Sequence, residues 1–259
     1  MTFLITNDDG YASRGINCLA QVAQEFGKVV IMAPKDNMSG VSTSISSSLP
    51  LRVTTISESD NICIYACSGT PADCVKMGLE YFCHDDNIIL LSGINYGSNA
   101  SINIVYSGTM GAVIEGCLSG IPSVGFSLLS HSQKADFTPC IPIVRQVIRN
   151  LLAHPLPDFT ALNVNIPYLP TDQIKGIRVC RQARGVWSNS LEKRTDPIGC
   201  PYWWMTGKFV CNDLEPDTDE YALRNGFVSV VPFTPDLTAY NAIDALTSLN
   251  TNLNTTNSQ

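Results

Sequence analysis

Residues 2–10, TFLITNDDG, put two adjacent aspartates, Asp8 and Asp9, directly behind an apolar run. Neighbouring carboxylates repel, and burying both is costly unless a cation or hydrogen bonds compensate. The pair reads either as a turn acid followed by a helix N-terminal acid, or as half of a cation site. Two other loops offer neutral oxygens: the hydroxyl of Ser39 in PKDNMSGVSTS (34–44) and the amide of Asn95 in GINYGSN (93–99). Two carboxylates, a hydroxyl and an amide carbonyl form an all-oxygen donor set, which suits Mg²⁺, Mn²⁺ or Ca²⁺ rather than a thiol-seeking metal. Such ions keep coordinated waters, which leaves room for a phosphate oxygen or an attacking water. A third element is YSGTMG (106–111), where Ser107-Gly108-Thr109 precede a helical pattern. Backbone N–H groups at a helix start, flanked by hydroxyls, bind anions; the same residues also serve as an ordinary N-cap.

These loops can converge only if the elements before them are strands of one sheet. TFLIT (2–6), KVVIMA (28–33), NIILLSGI (87–94), IPSVGFSLL (121–129) and FTALNVNIP (159–167) read as apolar strands. Between them, RGINCLAQVAQEF (14–26), PADCVKMGLEYF (71–82), TMGAVIEGCLSG (109–120) and PIVRQVIRNLLAH (142–154) have helical spacing. Strand–helix alternation with continuous apolar strands predicts an α/β fold, a Rossmann-like three-layer core around a mostly parallel sheet. Ligands of such sheets bind beyond the carboxyl ends of the strands, where the three polar loops fall. The reading divides the chain into an α/β core over 1–169 that carries the site, a β-hairpin extension with an oligomerisation segment over 170–246, and a polar tail over 247–259 expected to be disordered. Within 170–246, IKGIRVCRQ, VWSNSLEKRT, YWWMTGKFVC and NGFVSVVPF predict antiparallel hairpins and a projecting arm. The aromatics Tyr202, Trp203 and Trp204 read as arm packing or a subunit contact in preference to a base-stacking surface. DLEPDTDE (213–220) reads as a solvated acidic loop.

Composition narrows the partners. The 259 residues carry 16 Lys and Arg against 23 Asp and Glu, a net charge of −7 with no basic stripe, which disfavours long nucleic acid. No stretch approaches the ~20 apolar residues of a membrane helix, and no basic segment precedes an apolar core at the N-terminus; the expected location is the cytoplasm, away from membranes. The ten cysteines include no C-x-x-C pair and read as buried free thiols. A dinucleotide-dependent oxidoreductase would want G-x-G-x-x-G after the first strand; NDDGYASRG places acids where a pyrophosphate would lie.

Taken together, ITNDDG (5–10), AP…NMSGVS (33–42), SGTPADCV (68–75), LLSGINYGSN (90–99), YSGTMGA…EG (106–116), LNVNIP (162–167) and DEYALRNGFVSVVPFTPD (219–236) resemble the SurE survival proteins, a family of metal-dependent 5′/3′-nucleotidases and acid-type phosphatases. The resemblance spans about residues 2–238. It implies a β-rich C-terminal extension exchanged between subunits, hence a homodimer or homotetramer, and one divalent cation per subunit, Mg²⁺ or Mn²⁺, held at the positions of Asp8, Asp9, Ser39 and Asn95. It places Ser107, Gly108 and Thr109 beside the bound phosphate; Asn37 and Gly40 are read as further donors to that phosphate. The implied substrate is a nucleoside 5′- or 3′-monophosphate, hydrolysed by water that Asp8 or Asp9 orients. The chain departs from the family pattern at Ser13-Arg14-Gly15 and at Lys35-Asp36-Asn37-Met38, where relatives carry more arginine; Lys35 replaces part of that charge. This second departure keeps open the alternative of a catalytically weak metal or nucleotide binder.

Overall fold

A computed structural model describes residues 1–251; residues 252–259, most of the tail expected to be disordered, lie outside the described residues. In chain order the elements are β1 (Thr2–Thr6), α1 (Arg14–Ala23), β2 (Lys28–Pro34), β3 (Val53–Glu58), β4 (Ile62–Cys67), α2 (Pro71–Met77), β5 (Ile88–Tyr96), α3 (Gly108–Leu118), β6 (Ser123–Leu128), α4 (Cys140–Ala153), β7 (Ala161–Ile166), β8 (Ile177–Val179), β9 (Gly185–Trp187), β10 (Leu191–Thr195), β11 (Pro201–Met205), β12 (Phe209–Cys211), α5 (Asp219–Arg224) and β13 (Val228–Phe233).

Nine strands form one sheet in the order β3-β4-β2-β1-β5-β6-β7-β13-β8. The run from β4 to β7 is parallel throughout; β3 and β13 pair antiparallel with β4 and β7. The chain steps from β1 to β2 on one side and returns to β5 on the other. The carboxyl end of β1 is therefore the point where the strand order reverses, the place where an open α/β sheet has a crevice. Asp8 and Asp9 follow that end directly.

Side chains alternate across β1 because successive residues of a strand point to opposite faces. Phe3 and Ile5 join Ile16, Leu19, Val144 and Ile148 of α1 and α4 in one core, and Leu4 joins Val75 of α2 and Ala112 of α3 in the other. The sheet is thus covered on both faces, which is why its central strands are apolar without interruption. α1 sits very close to β5: a Cβ on Gly15 would stand 2.0 Å from the Ile94 carbonyl oxygen, so only glycine permits this approach. α2 opens with a capping box, Thr70 accepting from Asp73 N and Asp73 from the Thr70 backbone, and closes in a π turn over Gly78–Phe82.

The region beyond 170 is only partly the projecting arm that its turn signals suggest. β10 and β11 form an antiparallel hairpin whose ten residues are all exposed, and β9 pairs antiparallel with β12. β8 and β13, however, extend the main sheet. β13 is buried over Val228–Val231 and pairs antiparallel with β7, with β8 outside it as the edge strand. All ten cysteines are free thiols, and only Cys200 is exposed. No described helix is long and apolar enough to cross a membrane.

Candidate active site

Asp8 is buried at 3 % exposure, between the end of β1 and the start of α3. Thr109 Oγ1 donates to its Oδ1 at 2.6 Å, and the backbone of Gly108 and Thr109 at the start of α3 lies close enough to favour its charged form. Gly108 allows the contact, since a Cβ there would lie 2.9 Å from the Asp8 Cβ. Burial raises the Asp8 pKa, and these contacts oppose the rise. The helix starts on Ser107, whose Oγ accepts from Met110 N at 3.1 Å. The positive end of α3 therefore faces the acidic pair.

Asp9 stands beside it, half-buried. The backbone of Tyr96, at the end of β5, lies close to the Asp9 carboxylate and favours the charged form. Its Oδ2 is buried with no hydrogen-bond partner. Burial first, and the Asp8 charge second, push its pKa up to about 7. An uncompensated buried carboxylate oxygen is rare in native structures and marks a place where a ligand or cation completes the set. The loop itself is rigid: Asn7 accepts from Gly10 N and donates to Gly10 O, both at 3.1 Å, and donates to Ser13 Oγ at 2.7 Å. Ser13 caps α1 by accepting from Ile16 N.

The loop that carries Asn37, Ser39 and Gly40 is tied to this pair, and Asn95 directly precedes Tyr96, which lies beside Asp9. Met38 N donates to Asp8 O at 2.7 Å, which brings the exposed Ser39 and Gly40 to the rim. Asn37 Oδ1 accepts from Ser39 N at 2.9 Å. Gly40 has φ +78° and open space around it, a conformation that favours glycine. The same loop is stitched to α3 and to the turn before it: Ser42 Oγ donates to Val105 O at 2.6 Å, and a Cβ on Gly111 would meet Ser42 O. Asn95 Nδ2 donates to Gly97 O at 3.0 Å, leaving its Oδ1 as the uncommitted atom. Thr109 is fully buried with its hydroxyl proton given to Asp8, so its side chain cannot donate a second time; Ser107 and Gly108 flank it at the helix start.

A cavity of about 340 Å³ opens beside Asp9, lined by Arg14, Lys35, Asn37, Tyr96 and Gln133 among others. Arg14, Gln133 and the His131 ring that packs over Gly97 lie outside the sequence-derived site. They come from an α1 start and a surface loop of ordinary composition, so only the fold brings them to the rim. The donor set fits a divalent cation of the hard class: two carboxylates, one with an orphaned oxygen, and neutral oxygens nearby, with no thiol or imidazole in the expected set. Among the described residues no cluster of three or more His, Cys, Asp or Glu competes as a metal site.

Fold and site together define an α/β protein with an acidic strand-end site at the reversal of strand order, the helix N-terminus of α3 closing one side of it. The family model for the survival protein SurE matches residues 3–189, and the chain belongs to that family. It is 48 % identical over 251 residues to the 5′-nucleotidase SurE of Christiangramia forsetii, covering 96 % of each chain. It is 44 % identical to that of Flavobacterium psychrophilum, covering 96 % of this chain and 97 % of the relative. The crystal structure of the SurE protein from Aquifex aeolicus superposes with a TM-score of 0.82 at 37 % identity, over 96 % of this chain and 99 % of that one.

Proposed function

We propose that the protein is a divalent-metal-dependent phosphomonoesterase that converts nucleoside 5′-monophosphates, and 3′-monophosphates as well, to nucleoside and phosphate. The observation that carries the reading is the buried, unpartnered Asp9 Oδ2 beside the more deeply buried Asp8, at the end of β1 where the sheet forms its crevice. Relatives covering nearly the whole chain carry the name 5′-nucleotidase SurE, and that activity is the one assigned here.

Asp8, Asp9, Ser39 and Asn95 would hold one Mg²⁺ or Mn²⁺, which when bound supplies charge neutralisation for the phosphoryl oxygens. The protein's own groups do the rest. The N-terminus of α3, at Ser107, Gly108 and the Thr109 backbone, sets a positive helix end against the phosphate, and Asn37 and Gly40 add donors from the opposite loop. Asp8 is held by the Thr109 hydroxyl. Asp9 keeps an uncommitted oxygen and is therefore the carboxylate that orients the attacking water in line with the leaving ester oxygen. The cavity beside Asp9, lined by Arg14, Lys35, Tyr96 and Gln133, lies within the size range of small-ligand sites and takes the nucleoside. The exposed hairpin β10–β11, with Trp203 and Trp204 more than half exposed, is read as the subunit contact of a homodimer or homotetramer working in the cytoplasm.

The test is turnover of p-nitrophenyl phosphate and a panel of nucleoside 5′- and 3′-monophosphates with Mn²⁺ or Mg²⁺, with and without chelator. Activity that appears with metal, vanishes with chelator and is lost in Asp9→Ala supports the reading. Activity surviving both chelation and Asp9→Ala rules it out, and metal binding without turnover leaves a binding protein in its place.

A further inference from the structure

The segment that joins two parts of the site, residues 97–107 between Asn95 and Ser107, is pinned on one side by the sheet. Asn99 N donates to Asn165 Oδ1, Asn99 Nδ2 to Ser127 Oγ and Asn163 Nδ2 to Asn99 O, all at 2.8 Å. On its other side it meets the first turn of α5. There Asp219 is fully buried, and no Lys or Arg pairs with it among the described residues. Its carboxylate is committed instead to three backbone donors. Oδ2 accepts from Ser101 N at 2.8 Å, and Oδ1 accepts from Ala183 N at 2.9 Å and Glu220 N at 2.8 Å. Ser101 is held at φ +55°, a left-handed conformation that a non-glycine residue keeps only when its surroundings impose it. Its hydroxyl continues the tie, donating to Ala183 O at 2.8 Å and accepting from Gly185 N at 2.9 Å. Two residues on, Trp187 Nε1 donates to Asn103 Oδ1 at 2.7 Å. Residues 183–187, the root of the extension that carries the exposed hairpin, are thus fastened to the segment between two site residues.

We propose that Asp219 is a positioning residue of the candidate site: through Ser101 it fixes segment 97–107, so that Asn95 at one end and Ser107–Thr109 at the other keep their places, and it locks that segment to the root of the extension. Three N–H donors and no acceptor converge on it, which a carboxylate satisfies and an amide does not. In Asp219→Asn the single amide oxygen serves best where Oδ1 holds two donors. The NH₂ group then faces the Ser101 N–H, so the Asn variant releases Ser101 while Ala183 and the start of α5 stay held.

The proposal depends on the nucleotidase reading only for its turnover readout. Full-length wild type, Asp219→Asn, Ser101→Ala and Val231→Ala are compared; Val231 is buried in the cluster behind α5 and serves as a purely destabilising control. Amide hydrogen exchange over 97–107, Mn²⁺ affinity by calorimetry, and kcat and KM for adenosine 5′-monophosphate are measured well below the unfolding temperature. For Asp219→Asn, exchange over 97–107 accelerates, Mn²⁺ affinity and kcat fall by about 10- to 100-fold as for other groups that orient ligands from behind, and kcat falls more than KM rises. Ser101→Ala, which loses the hydroxyl ties but keeps its N–H, shows a smaller change of the same kind and decides the matter if Asp219→Asn does not fold. An Asp219→Asn protein that melts lower but matches Val231→Ala in exchange, Mn²⁺ affinity and kcat overturns the proposal. A wild type without Mn²⁺ binding or turnover defeats the nucleotidase reading instead, and unchanged exchange over 97–107 in the variants then still overturns the role given to Asp219.

Discussion

Replacing Asp9 with asparagine should stabilise the metal-free protein. In the folded chain burial and the Asp8 charge raise the Asp9 pKa from 3.8 to about 7. Between those values the folded state binds a proton that the unfolded chain has already released, so this residue's contribution to stability falls as pH rises from about 4 to about 7 and is flat above. At 1.36 kcal/mol per pKa unit, the penalty carried by wild type at pH 8 is up to about 4 kcal/mol. Asn is isosteric and carries no charge to desolvate. In chelator, Asp9→Asn should therefore melt at the same temperature as wild type near pH 4 and several degrees higher at pH 8, because each kcal/mol is worth ~2–4 °C for a chain of this size. Adding Mn²⁺ at a hundredfold excess over its dissociation constant should stabilise wild type by about 2.7 kcal/mol and leave the variant unmoved, narrowing the gap. Thermal unfolding followed by circular dichroism across pH 4–8, with and without Mn²⁺, measures this. A variant that melts at or below wild type at pH 8 in chelator, or whose advantage is the same at pH 4, refutes the assignment of Asp9 as an uncompensated buried carboxylate.

Thr109→Val keeps the shape of α3 and removes the hydroxyl that donates to Asp8. A hydrogen bond to a charged group is worth about 1.5–3 kcal/mol, so Mn²⁺ affinity measured by calorimetry should weaken by roughly 10- to 150-fold at that energy. Gly15→Ala drives a methyl to 2.0 Å from the Ile94 carbonyl oxygen, which backbone cannot vacate. α1 must lift from β5, and urea unfolding should show a loss of at least about 1–3 kcal/mol.

Where a residue's role is set by its neighbours in the chain, the sequence makes it legible. The strands that lead to Asp8 and Ser39, and the strand β5 that carries Asn95 near its end, announce themselves by unbroken apolar runs, because a sheet covered on both faces leaves them no polar side. The loops after them are then placed by topology alone. β3 escapes notice for the opposite reason: VTTISE is an edge strand, exposed from Thr54 onward, and its polar residues read as loop. β4, between β2 and β3, is masked by the same surroundings. β8 and β13 carry ordinary strand patterns, but periodicity does not say which strand will accept them, and both joined the main sheet instead of the hairpins. Asp219 lies in DLEPDTDE, a stretch whose composition suggests solvated charge; its first acids are on the surface, as Asp213 and Asp217 pair with Arg181. Nothing local separates them from the one carboxylate that the fold buries. Thr109 shows the same limit on a smaller scale, since spacing cannot say that its hydroxyl turns to Asp8.

The central claim is that Asp8, Asp9, Ser39 and Asn95 form one divalent-cation site, and it is tested most directly by counting ions. Calorimetric titration of the chelator-stripped protein with Mn²⁺ at pH 7.5 should give one ion per chain. Asp8→Asn and Asp9→Asn should abolish that binding, and Ser39→Ala and Asn95→Ala should weaken it. A wild type that binds no ion, or Asp8→Asn and Asp9→Asn variants that bind it as wild type does, would contradict the account.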